Sequence, residues 1–117
     1  MELLGEQTMD TLRNNFKKLR EASNLNQHDL ANYLSIDQSL ISKFEKGERS
    51  LSVSILEKAC ELFGCHYYDL SNENLNPKLK AYFRKDGEIN EDLSQVAKIH
   101  RLALNLLEME EISHINE

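Results

Sequence analysis

Apolar residues recur every three or four positions along most of this chain, which is the spacing of amphipathic helices. The first stripe consists of three apolar residues: Leu12, Phe16 and Leu19. Thr8 or Asp10 is the expected N-cap of this helix, because a side-chain oxygen there can accept a hydrogen bond from the first turn. The helix is expected to end near Ser23, with Asn24 in the left-handed conformation that follows many helices.

Two short helices are predicted next, with about three residues between them. The first follows Asn26 as N-cap, and its apolar side chains are Leu30, Ala31 and Leu34. The second follows Asp37, buries Ile41 and Phe44, and stops at Gly47. Two short helices joined in this way are typical of a helix-turn-helix.

Another helix is predicted from the N-cap Ser52 to Phe63, with Gly64 ending it. Five of its residues are expected to point inward: Val53, Leu56, Ala59, Cys60 and Phe63. A short fifth helix is expected to close the core with three residues: Tyr67, Tyr68 and Leu70. The pattern thus predicts five helices within residues 11–70.

The chain is expected to divide into a flank (1–10), a helix-turn-helix domain (11–70), a linker (71–77) rich in Asn and Ser, and an extension (78–117). The extension is expected to hold a short segment at 79–84, a turn at 85–87 and a helix from about Asn90 to Glu111. Its broad apolar face is expected to pair two copies of the chain or to bind another protein. That face consists of Leu93, Val96, Ile99, Leu102, Leu106 and Leu107.

Composition agrees with an all-α fold, because the chain has one Pro, four Gly and no Trp and is rich in helix-forming residues. The net charge of -6 opposes binding to nucleic acid only at first sight. Residues 11–70 carry eight basic and eight acidic side chains, so the excess of acids lies in the flanks. The local field, rather than the total charge, decides where DNA docks.

Several function classes are not supported by the residues present. No apolar stretch approaches the roughly 20 residues that cross a bilayer, and no signal peptide is recognised, so a cytoplasmic protein is expected. Cys60 and Cys65 have no metal-binding spacing and are expected to be reduced thiols. His28, His100 and His114 are predicted on separate helices. We therefore predict no metal, no cofactor and no catalytic centre.

The stretch LREASNLNQHDLANYLSIDQSLISKFEKGER, followed by SVSILEKACELFG, resembles the lambda-repressor-like family of regulators, also called the Cro and repressor or XRE type. The resemblance covers residues 12–70, about half of the chain. It implies a five-helix domain that binds double-stranded DNA and regulates transcription, most often as a dimeric repressor on a pseudo-palindromic operator. Ser35 stands in the turn where the family usually has Gly.

The resemblance also implies a role for individual residues. The residues expected to read bases are Gln38, Ser39, Ser42 and Lys43, and those expected to contact the DNA backbone are Asn26, Gln27, Lys46 and Arg49. Gln27 is also expected to brace Gln38. Their chemistry suits these roles, since Gln pairs with adenine and Lys donates to guanine. Arg20 and Glu45 correspond to a structural ion pair.

Two interpretations of the extension remain open beside dimerisation. Antitoxins of this fold use a tail to neutralise a toxin and often also repress their own promoter. The sequence AYFR followed by a long helix is also similar to extensions of regulators that a partner metallopeptidase controls. Either partner would bind through the apolar face of the last helix.

Overall fold

The computed structural model of this protein describes residues 2–75 and 92–115, with side chains for residues 9–75 and 92–111. Five α-helices and one 3₁₀ helix make up the regular structure of these ranges. They are α1 (Glu2–Ala22), α2 (Gln27–Leu34), α3 (Gln38–Glu45), α4 (Val53–Phe63), the 3₁₀ helix Tyr67–Ser71 and α5 (Leu93–Ile115). The prediction of an all-α fold with a helical C-terminal extension is confirmed.

Helix α1 begins well before the predicted N-cap. Thr8 and Asp10 lie inside the helix, so neither caps it, and the prediction of a start at these residues was wrong. Residues 2–10 contain no proline, and acidic residues such as Glu2 and Glu6 favour the start of a helix through its dipole. Asp10 instead forms an ion pair with Arg13, one turn further along.

The turn between α2 and α3 is built by polar caps and one strained residue. The Asn26 side chain accepts a hydrogen bond from the Asp29 amide at 2.7 Å and so caps α2 as predicted. Ser35 follows α2 in the left-handed conformation, with φ 58°. Asp37 occupies the N-cap position of α3, but its side chain makes no capping hydrogen bond. The sequence thus predicted the position of the N-cap correctly, but the expected side-chain hydrogen bond of Asp37 is not formed.

We expect Ser35→Gly to raise the free energy of unfolding by about 0.5 to 1 kcal/mol, because a left-handed backbone strains every residue that has a Cβ. Urea denaturation measures the change. Ser35→Ala is the control, since it removes the hydroxyl but keeps the Cβ, and it should bring no gain. Equal stabilities of the two variants would show that the backbone at Ser35 is not strained.

The core forms around Phe16 of α1. Its ring packs edge-to-face against Phe44 of α3 at 5.0 Å and against Phe63 of α4 at 5.5 Å between centroids. The predicted inward residues of these helices are buried, with one exception: Val53, in the first turn of α4, is 51% exposed. In the 3₁₀ helix Leu70 is buried, whereas Tyr68 is 64% exposed and so was wrongly placed in the core.

Two further contacts attach the last elements to the domain. The buried Asn15 donates from Nδ2 to the carbonyl oxygens of Leu70 and Asn72, both at 2.8 Å, which fixes the 3₁₀ helix on α1. Helix α5 packs on α4 through the buried residues Ala97 and Leu104. The extension therefore contacts the domain directly.

Part of the predicted tail lies outside the described residues. This holds for residues 76 and 77 of the predicted linker (71–77), the segment at 79–84, the turn at 85–87 and the expected helix start at Asn90. The described helix runs from Leu93 to Ile115 and so contains both His100 and His114, which the sequence had placed on separate helices. They lie fourteen positions apart along this helix, which corresponds to roughly 21 Å of helix axis.

Candidate DNA-binding surface

Helix α3 has one buried face and one exposed face. Ile41 and Phe44 are buried in the core. Gln38, Ser39 and Lys43 are exposed on the other side. A helix of this kind fits the major groove with its outer side chains at the base edges.

Ser42 differs from the other predicted base readers, because it is half-buried. Its hydroxyl therefore lies at the margin of the exposed face. Leu40 packs against the core and is also only partly accessible.

The four residues predicted to contact the DNA backbone lie at the start of α2 and after α3. Lys46 and Arg49 are exposed directly beyond the end of α3. Asn26 is exposed too, although its side-chain oxygen is occupied in capping α2. Gln27 is half-buried, and its Nε2 donates to Glu45 Oε1 at 3.0 Å. The resemblance implied contacts of Gln27 with DNA and with Gln38, and it gave no indication of this bond.

Glu45 is the centre of a buried polar network. Arg20 donates to it twice, from Nε to Oε2 at 2.8 Å and from Nη2 to Oε1 at 3.0 Å. Arg20 also donates from Nη1 to the Leu25 carbonyl oxygen at 2.8 Å. The side chains of Arg20 and Glu45 are only 10% and 4% exposed. With the bond from Gln27, this network joins α1, the loop after it, α2 and the end of α3, and so fixes the angle of the exposed helix.

A second basic residue of α1, Arg13, lies close to the backbone that follows α3. Gly47 leaves the helix with φ +82°, a backbone conformation that L side chains rarely adopt. A Cβ at this position would lie 3.3 Å from Arg13 Nε, so the Arg13 guanidinium lies against the end of α3. Gly47 was predicted as the helix stop, but the sequence contained no signal for its contact with Arg13.

The charges around α3 favour an anionic partner slightly. Three exposed basic residues lie on α3 or within four residues of its end: Lys43, Lys46 and Arg49. Asp37 and Glu48 are the exposed acids of the same segment. The charge of Glu45 is compensated by Arg20. The local surface is therefore weakly positive, although the whole chain is acidic.

The two cysteine thiols lie in an environment that does not favour the reactive thiolate form. Cys60 and Cys65 are both buried and free. A hydrogen bond with Cys65, together with burial, raises the pKa of the Cys60 thiol above its usual range. A buried neutral thiol is a poor nucleophile. The residues that the structure describes also contain no cluster of acidic, cysteine or histidine side chains that could hold a metal ion.

The predicted interface of α5 divides into two faces. Leu93 and Val96 pack against the domain core, and Leu107 is half-buried. Ile99, Leu102 and Leu106 remain exposed on the far side of the helix.

Within the described ranges, no helix is both long and apolar enough to span a bilayer.

Comparison with known proteins agrees with this geometry. The family model described as helix-turn-helix matches residues 16–70. A curated relative, antitoxin PezA from Streptococcus pneumoniae serotype 4, is 32% identical over 65 residues, which are 54% of this chain and 41% of the antitoxin. The chain thus matches less than half the length of that protein. No solved structure matches the chain. Residues 16–70 therefore match the helix-turn-helix model of DNA-binding regulators, which agrees with the resemblance to lambda-repressor-like proteins.

Proposed function

We propose that this protein is a sequence-specific transcription regulator of the cytoplasm that binds a pseudo-palindromic operator as a dimer and represses the genes behind it. The observation that carries the proposal is the exposed face of α3, on which Gln38, Ser39 and Lys43 are free to meet base edges. The opposite face of α3 is buried, and the Glu45 network holds its end. The reading helix is thus preorganised before DNA binds.

Each residue of this face has a role that its chemistry supports. Gln38 pairs with an adenine through its amide, and Lys43 donates to a guanine. Ser39 and the half-buried Ser42 add single hydrogen bonds. Asn26 and Gln27 bring the amide end of α2 toward a phosphate, which the helix dipole favours.

The test is selection of bound sequences from random duplex DNA by the full-length chain. A specific dimer should enrich two related half-sites in opposite orientation, with their centres about 10 base pairs apart. Enrichment of no motif would reject sequence-specific reading. Enrichment of a single half-site would retain the reading helix but reject the dimer on the operator.

Lys46→Ala should weaken binding to all sequences alike, because its partner is expected to be a phosphate that every duplex offers. The plot of log K against log salt should become less steep by about 0.9 for each phosphate that the variant no longer neutralises. Lys58→Ala is the matched control, since Lys58 is also an exposed lysine but lies on α4, over the ring of Tyr33. Identical salt slopes for the two variants would make Lys46 an ordinary surface cation.

A second candidate function is that of an antitoxin that binds a toxin through α5. The likeness to antitoxin PezA supports this candidate. A partner metallopeptidase would use the same helix. The antitoxin function predicts that a neighbouring gene arrests growth when expressed alone and that co-expression of this chain restores growth. Growth arrest that this chain does not relieve would reject it.

A further inference from the structure

Helix α1 presents two arginines to the end of α3. Arg20 donates to Glu45, the last residue of α3, at 2.8 and 3.0 Å. Arg13 lies against Gly47, two residues further on, where a Cβ would be 3.3 Å from the Arg13 Nε. The two arginines are seven positions apart, which corresponds to about 10 Å along the axis of α1. One side of α1 therefore runs past the end of α3 and the backbone that follows it.

Lys17 lies between these arginines on the same side of the helix. Each residue of an α-helix is rotated by about 100° from the one before it. Lys17 therefore points about 40° from Arg13 and about 60° from Arg20, in both cases away from the buried Phe16. The Lys17 side chain is exposed, whereas that of Arg13 is only 21% exposed. Lys17 thus forms the solvent edge of the side of α1 that meets the end of α3.

The positive charge of Lys17 is available to a partner. Both arginines already have carboxylate partners, whereas the ion pairs among the described residues do not include Lys17. Glu21, one turn further along α1, is exposed and forms no ion pair with it. A lysine is a strongly hydrated point charge on a flexible stem, which suits it to a phosphate that approaches from solvent.

Lys17 adjoins the segment that already carries the candidate backbone contacts. Lys46 and Arg49 are exposed directly after α3, and Gly47 between them is the residue that Arg13 approaches. We propose that Lys17 binds a phosphate of the duplex next to those that Lys46 and Arg49 contact, so that the DNA-backbone surface extends from the loop after α3 onto α1. The proposal rests on the proposed function, since it assumes that α3 and the loop after it face DNA.

The test compares Lys17→Ala with Lys18→Ala in the full chain by measuring affinity for duplex DNA over a range of salt concentrations. Lys18 is the matched control, because it is the neighbouring exposed lysine but points about 140° from Arg13 and about 160° from Arg20. Lys17→Ala should make the plot of log K against log salt less steep by about 0.9 and lower the affinity about fivefold to tenfold near 0.1 M salt. Lys18→Ala removes the same charge from the same helix and should keep the wild-type slope.

Two further variants test whether charge at position 17 is the cause. Lys17→Arg keeps the charge and should bind as wild type does, whereas Lys17→Glu should bind more weakly than Lys17→Ala because it repels the phosphate. Urea denaturation of these variants should match wild type, since the side chain is exposed. Equal salt slopes for Lys17→Ala and Lys18→Ala, or equal affinities of Lys17→Glu and Lys17→Ala, would overturn the proposal.

The choice of duplex separates this proposal from the proposed function. Every duplex offers phosphates, so the effect of Lys17→Ala should be the same on the selected operator and on a duplex of random sequence. If wild type binds all duplexes alike and the salt slope depends on Lys17, the phosphate contact stands and sequence-specific regulation fails. If wild type prefers the selected operator but Lys17→Ala keeps the slope of Lys18→Ala, the regulator function stands and the contact from α1 fails.

Discussion

Glu45→Ala is expected to lower the free energy of unfolding by about 3 kcal/mol, because it leaves the Arg20 guanidinium without its partner in a buried site. The Arg20 and Glu45 side chains are only 10% and 4% exposed, so solvent compensates poorly for the lost carboxylate. Gln27 loses its acceptor in the same variant. Urea denaturation followed by circular dichroism measures the change.

Glu48→Ala is the matched control, since Glu48 is an exposed glutamate in the same segment. Its removal should change stability by no more than about 0.5 kcal/mol. Arg20→Ala should be at least as damaging as Glu45→Ala, because Arg20 also bonds the Leu25 carbonyl oxygen. The double variant should be less destabilised than the sum of the two singles. Equal stabilities of the Glu45→Ala and Glu48→Ala chains would contradict a stabilising role for this network.

The helices of the domain could be predicted because their signals are local. Asn26 and Ser52 are capping residues at the points where α2 and α4 begin, and Gly64 follows the last residue of α4. Apolar spacing then identified the buried faces. The start of α1 was missed because the sequence offers cap-like residues, Thr8 and Asp10, inside a segment that nothing interrupts. A capping side chain marks a helix start only when the residues before it do not themselves form helix.

The contacts that hold the candidate site could be predicted only in part. The resemblance supplied the pairing of Arg20 with Glu45, but it assigned Gln27 to DNA and to Gln38. The bond from Gln27 to Glu45 joins residues 18 positions apart, and the bonds from Asn15 cross more than 50 positions. No periodicity encodes such contacts, because they depend on how the helices cross. For the same reason the sequence did not show which side of α5 would pack on α4, because the apolar residues of α5 form one broad stripe.

The proposed DNA-reading face of α3 yields the prediction with the largest expected effect on binding. Gln38→Ala and Lys43→Ala should each weaken binding to the selected operator by about 1 to 3 kcal/mol, since each removes a proposed bidentate or charged contact to a base edge. The double variant should therefore bind the operator little better than unrelated DNA. Both side chains are exposed, so the fold should be unaffected.

Fluorescence anisotropy with operator and scrambled duplexes measures this loss of specificity. The discriminating quantity is the ratio of the two affinities, because a general electrostatic loss lowers both affinities and leaves their ratio unchanged. Lys58→Ala again controls for the loss of one positive charge, and its ratio should equal that of wild type. Circular dichroism of the double variant should match wild type, which excludes unfolding as the cause. If the double variant kept the wild-type ratio, α3 would not be the reading helix, and sequence selection would have to come from another surface of the domain.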